Sequence, residues 1–169
     1  MRIHTIWVVV VCMILIVSGC SANPNNTEPE NAIEKYLQDK GYQIISAEGK
    51  VDEYQITKEK LTQMPYMVNW GLQSVDPTPF LGKNVQITKF IVKNHPLDQW
   101  TTKGVKSKKQ TELYIYEVDH QVIGGTSIPV VDENLDGGMW SLEGKTLEEV
   151  QGKEYPIWRK EWLEKWSRP

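Results

Sequence analysis

The chain has 169 residues, 40 % hydrophobic and 24 % charged, with a formal net charge of −3. That acidic balance argues against nucleic acid as a partner, because phosphate binding needs a basic face. The sequence contains no Gly-x-Ser-x-Gly elbow, phosphate loop, dinucleotide fingerprint or His-Glu-x-x-His, so the corresponding enzyme classes drop out.

The N-terminus reads as an export signal. Arg2 leads into an apolar run, Ile6 to Val17, which ends in small residues directly before Cys20. Twelve apolar residues at ~1.5 Å each fall short of a bilayer core of roughly 30 Å, which is the length of a secretory signal and not of a membrane span. Val17-Ser18-Gly19-Cys20 resembles the lipobox of bacterial lipoproteins, whose cysteine receives a diacylglyceryl group before cleavage. The resemblance implies a lipid anchor on Cys20 and a domain held at the extracytoplasmic side of the cell membrane; two or more acyl chains make such an anchor stable. The expected organisation is a signal peptide over 1–19, a lipidated cysteine with a flexible tether over 20–29, and a single domain over 30–169. Cys12 leaves with the signal and Cys20 carries lipid, which excludes cysteine catalysis, thiolate zinc and iron–sulfur chemistry in the mature domain. Loss of Arg2 takes the charge to −4. Without disulfides, stability has to come from packing.

Ordered structure is expected to begin at Thr27-x-x-Glu30, a capping box, followed by a helix with Ala32, Ile33, Tyr36 and Leu37 on one face and Gly41 as its stop. Tyr42 to Ile56 reads as two short strands around a Glu48-Gly49-Lys50 turn. Lys58 to Gln73 reads as helical or mixed and broken at Pro65. Asn84 to Asn94 alternates as a half-buried strand, with Val85 and Ile87 and, after a shift, Phe90 and Val92 inward. Lys103, Lys106, Lys108 and Lys109 fall in a polar, glycine-containing stretch that reads as a solvated loop, or as a contact for anionic lipid or wall polymer. Glu112–Val118 and Gln121–Ile128 form the strongest hairpin signal, joined by Asp119-His120. Thr146-x-x-Glu149 is a second capping box, and Tyr155 to Trp166, with Pro156 in its first turn, closes the chain as a helix. The sum is an α+β domain: a mainly antiparallel sheet with N-terminal and C-terminal helices packed on one face.

Several stretches, Trp70-Gly-Leu-Gln-Ser74, Phe80-Leu-Gly-Lys83, the strand Ile87 to Asn94, Val122-Ile-Gly-Gly125, Ser141-Leu-Glu-Gly-Lys-Thr146 and the closing Trp158 to Trp166, resemble a family of uncharacterised lipoproteins of Gram-positive, spore-forming bacteria. The resemblance covers most of residues 30 to 166 and implies location and fold type. The family carries a domain of unknown function, and no catalytic residue follows from it.

Three constellations carry candidate chemistry. Asp132-Glu-Asn134-Leu-Asp136-Gly137, with Glu143 after five further residues, fits the calcium-loop formula, with the Gly138 carbonyl in the seventh position. Its flanks read as strand, whereas a calcium loop of this type follows a helix, and any surface turn uses Asp, Asn and Gly. Trp158, Trp162 and Trp166 form an i, i+4, i+8 stripe that either docks the last helix on the core or faces a membrane or partner; Trp158 and Trp162 are expected in the core and Trp166 frayed. His95-Pro-Leu-Asp98 offers a base beside a carboxylate, or more simply the turn that ends a strand with Asp98 capping it; His120 is expected exposed at a hairpin tip. The leading expectation is a lipid-anchored accessory or binding domain, not an enzyme, with an unidentified protein or cell-wall partner and no required cofactor. The alternatives are a calcium-dependent extracellular module and a hydrolase acting on wall or peptide with carboxylates alone, which needs convergent acids of perturbed pKa.

Overall fold

The computed structural model describes residues 29–132, 135 and 137–167. Cys20, the tether and Thr27, together with Asn134 and Asp136 of the acidic loop, lie outside the described residues.

Helix α1 (Pro29–Asp39) buries Ile33 and Leu37, leaves Tyr36 half-buried and Ala32 exposed, and ends at Gly41 in the left-handed region (φ 84°). The expected pair of short strands is instead one long edge strand, β1 (Gln43–Gln55). Its register against the next strand slips three times, at Ile45, Glu48 and Val51. Each slip inserts an unpaired residue and bends the strand, which explains why the apolar Ile45 and Val51 are 43 % and 48 % exposed. Gly49, at φ 79°, carries the strand past the middle bulge; the residue that reads as a hairpin turn serves a bulge. Repeated bulges also make a poor template for pairing with another chain.

The mixed segment resolves as α2 (Lys58–Leu61), capped by Thr57 Oγ1, and α3 (Tyr66–Gly71), separated by a cis Met64–Pro65 bond. Strand β2 (Asn84–Lys93) follows. A short 3₁₀ turn, Pro96–Gln99, leads into β3 (Thr101–Thr102) and β4 (Val105–Lys106). The lysine-rich stretch is thus a small hairpin and not an open loop, with Lys103 and Gly104 at positive φ in its turn. The four lysines are exposed. Strands β5 (Thr111–Val118) and β6 (Gln121–Pro129) form the expected hairpin; Asp119 (φ 51°) and His120 (φ 62°) supply the two left-handed residues that a type I′ turn requires. After β7 (Trp140–Ser141) come α4 (Leu147–Gln151), whose Thr146–Glu149 capping box is formed in both directions, and α5 (Tyr155–Trp166).

The fold is α+β, with a five-stranded antiparallel sheet in the order β1-β2-β5-β6-β7. Its helices occupy both faces, not one. Strand β2 explains why. Its pairing with β5 runs without a slip from Gln86 to Val92, so Val85 and Ile87 point to one face and Phe90 and Val92 to the other. The first pair meets Leu61, Trp70, Tyr116 and Trp166 beneath α2, α3 and α5; the second meets Ile33, Leu37, Leu113 and Ile115 beneath α1. The change of phase along β2 is a change of covered face, with no shift of register. A third cluster, Met67, Leu72, Leu147 and Trp158, ties α3 to α4 and α5.

Candidate functional site

The tryptophan stripe of α5 faces the core. Trp158 is 3 % and Trp166 4 % exposed, while Trp162 is half-buried and its indole N–H donates to the Leu61 carbonyl at 2.6 Å. Trp162 packs against two core clusters but is only half-buried, and the expectation for Trp166 is overturned. Trp166 is not frayed, because the turn of α5 that carries it lies against Ile87, Tyr116 and Leu61, and Lys165 is tied to Asp76 across the neighbouring loop. Gly71, the last residue of α3, lets the Trp158 ring sit directly on its backbone; a Cβ there would overlap the ring.

The described residues of the acidic loop are engaged elsewhere. Asp132 pairs with Lys108. Glu143 accepts from Lys40 at 2.8 Å and from Ser141 Oγ at 3.3 Å. Burial alone would lower the Lys40 pKa, but the Glu143 carboxylate and Tyr36 together outweigh it and the net shift is upward. Gly138 lies beside a groove described below. The segment entering the loop is β6, and Trp140-Ser141, between Gly138 and Glu143, pairs with β6 as β7. Among the described residues no three His, Cys, Asp or Glu side chains converge into a cluster suited to a metal ion.

His95 is a structural histidine. Its Nδ1 accepts from the Leu97 N–H at 3.1 Å, which places the ring proton on Nε2, where it donates to the Leu142 carbonyl at 2.9 Å. Burial holds its pKa below the ordinary value. Asp98 accepts from the His95 N–H and from Thr111 Oγ1, closing the expected cap. His120 is exposed at the hairpin tip, 3.5 Å from Glu117.

Of the recesses that hold carboxylates, one of about 360 Å³ contains Glu143, paired with Lys40, and Glu149, which accepts from the Thr146 N–H; two more lie elsewhere. One, about 310 Å³, lies between α5 and the loop after α3 and contains Asp76 and Glu161. Asp76, bonded by Lys165 and Thr78, is pushed down to about 2, and Glu161 pairs with Lys153 at 2.6 Å. A general acid needs the opposite shift. The other, about 430 Å³, lies at the hairpin end of the sheet and contains Glu53, Glu117, Asp119 and His120; Lys50 pairs with Glu53 and Lys83 with Asp119.

An open apolar groove of about 500 Å³ differs from all three. Met64 of the cis-proline turn, Val68 of α3, Trp100, Met139, Trp140, Leu147 and Tyr155 line it. Trp100 and Trp140 meet edge to face, ring centroids 5.6 Å apart, and Met64 is 62 % exposed. Grooves lined by aromatic and apolar side chains with few polar groups are the usual form of a binding site. Sequence reasoning missed it because its residues are scattered from position 64 to position 155. One local signal existed: Trp100 stands at the head of the lysine-rich stretch.

Comparisons with protein families, curated proteins and solved structures return no match to this chain.

Proposed function

We propose that this chain is a lipid-anchored, extracytoplasmic accessory domain that acts by binding, of the kind found among the uncharacterised lipoproteins of Gram-positive spore-formers. The observation that carries the reading is Val17-Ser18-Gly19-Cys20 directly behind an apolar run of secretory length. Binding is favoured over catalysis by the state of the titratable groups. The His95 ring spends both nitrogens on backbone, and Asp76 and Glu161 are held by lysines. The groove around Trp100 and Trp140 offers the apolar surface a binding domain needs.

The experiment is metabolic labelling with a fatty acid in cells expressing the full chain. Cys20→Ala should abolish labelling and release or mis-process the protein; continued labelling of the variant would remove the anchor from the proposal.

A further inference from the structure

We infer that the Trp100–Trp140 groove and the β3–β4 hairpin together form a docking face for an anionic lipid surface, so that the domain lies against the membrane. The inference deepens the proposed function by naming the partner, and its geometric part stands on three observations.

The first is continuity. The hairpin springs from the rim of the groove: the Trp100 carbonyl accepts from the Ser107 N–H at 3.0 Å, closing the hairpin at its base, and Thr101 follows directly. The apolar surface and the lysine-bearing hairpin are therefore one structural unit.

The second is charge. Lys103 stands in the hairpin turn, Lys106 on β4, and Lys108 and Lys109 just beyond, all exposed. Asp132 takes Lys108. Among the described residues no carboxylate pairs with Lys103, Lys106 or Lys109. On an acidic protein, lysines that no described carboxylate pairs, beside the half-buried Trp100 and Trp140 and the exposed Met64, match a headgroup layer of negative charge over an apolar interior. Tryptophan and tyrosine favour that boundary because an indole or phenol has one wet and one apolar edge, and basic residues near an anionic surface add attraction within a Debye length.

The third is reach. Eight residues lie between Cys20 and Pro29, and a fully extended chain over that stretch spans at most about 30 Å. A lipidated Cys20 would hold the domain within that distance of the bilayer, where even a weak surface contact is sustained by high effective concentration.

The test uses the mature chain, residues 20–169, with Cys20→Ser so that no lipid is attached; every residue of the three core clusters lies between Ile33 and Trp166 and is retained. Co-sedimentation is measured with vesicles of equimolar phosphatidylglycerol and phosphatidylcholine, against pure phosphatidylcholine. Binding should require the anionic lipid and weaken with salt. Lys103→Gln with Lys106→Gln should lower it roughly thirtyfold, from about fivefold per lysine, and Met64→Gln should lower it further. Lys35→Gln with Lys50→Gln, the same change of charge on α1 and on the opposite edge strand β1, should leave it unchanged. Equal sedimentation with neutral vesicles, a Lys103/Lys106 variant that binds like the parent, an equal loss in the Lys35/Lys50 variant, or binding to polyglycerol phosphate but not to vesicles would each overturn the inference. Because the assayed chain carries no lipid, its failure leaves the Cys20 labelling result standing, and failed labelling leaves the vesicle result standing.

Discussion

The molecule uses tryptophan in two ways, and the difference lies in what stands behind each ring. On α5, Trp158 and Trp166 point inward at helical spacing, one onto the bare backbone of Gly71 and the other onto the first half of the sheet. At the groove, Trp100, just after a 3₁₀ turn, and Trp140, on a two-residue strand forty residues on, meet edge to face and stay half-buried, sharing the groove with Met64, Met139, Leu147 and Tyr155. The first pair has neighbours from several elements and is part of what holds the helices together. The second pair is half-buried and borders an open groove. Burial, not residue type, separates the two uses.

Breaking that comparison starts with the largest effect. Truncating Trp158 or Trp166 to Ala should cost ~3–5 kcal/mol each, against a total of ~5–15 kcal/mol for a domain of this size. Trp100→Ala should cost much less, on the order of the ~0.5–1.5 kcal/mol of an aromatic pair plus partial burial. Urea denaturation of the mature chain gives the three midpoints, and similar losses at Trp100 and Trp166 would erase the distinction.

Next is Gly71→Ala. In an ordinary helix this change stabilises, but here the added methyl displaces the Trp158 ring, and overpacking of that kind costs typically 1–3 kcal/mol. A thermal melt should show a lower midpoint; pairing the change with Trp158→Leu should recover part of the loss, because the two effects share one contact.

His95 gives a smaller, pH-dependent effect. Its folded pKa lies below the ordinary 6.5 because of burial, so the unfolded chain binds the proton more readily. Its contribution to stability is full above pH 6.5 and is lost as the pH falls below that value toward the folded pKa. Denaturation midpoints of the parent should therefore drop on moving from pH 7.5 to 5.5 more steeply than those of His95→Asn.

Smallest of all should be the response to calcium. With Glu143 on Lys40, Asp132 on Lys108 and β7 between Gly138 and Glu143, the expected outcome is a melting temperature indifferent to millimolar calcium and to chelator. A saturable rise, lost in Asp132→Ala, would restore the calcium-module reading.

What the sequence determined by itself is short-range. The Asp119-His120 turn, the Thr146–Glu149 box, the His95–Asp98 cap and the limits of α5 all rest on side-chain and backbone contacts spanning a few residues, so their chemistry is complete in the local string. Periodicity likewise exposed the inward residues of β2 and α5. It did not say against what they pack, since alternation marks a buried face without naming its partner. Only the tertiary structure decided that Gly49 serves a bulge, that β2 changes covered face along its length, and that Trp166 is held and Trp162 half-open. The same holds for the pairing of Glu143 with Lys40, 103 residues apart, and for the groove, whose walls come from five separate segments. In each case the deciding neighbour is distant along the chain and close in space, and the sequence pattern carries no term for that distance.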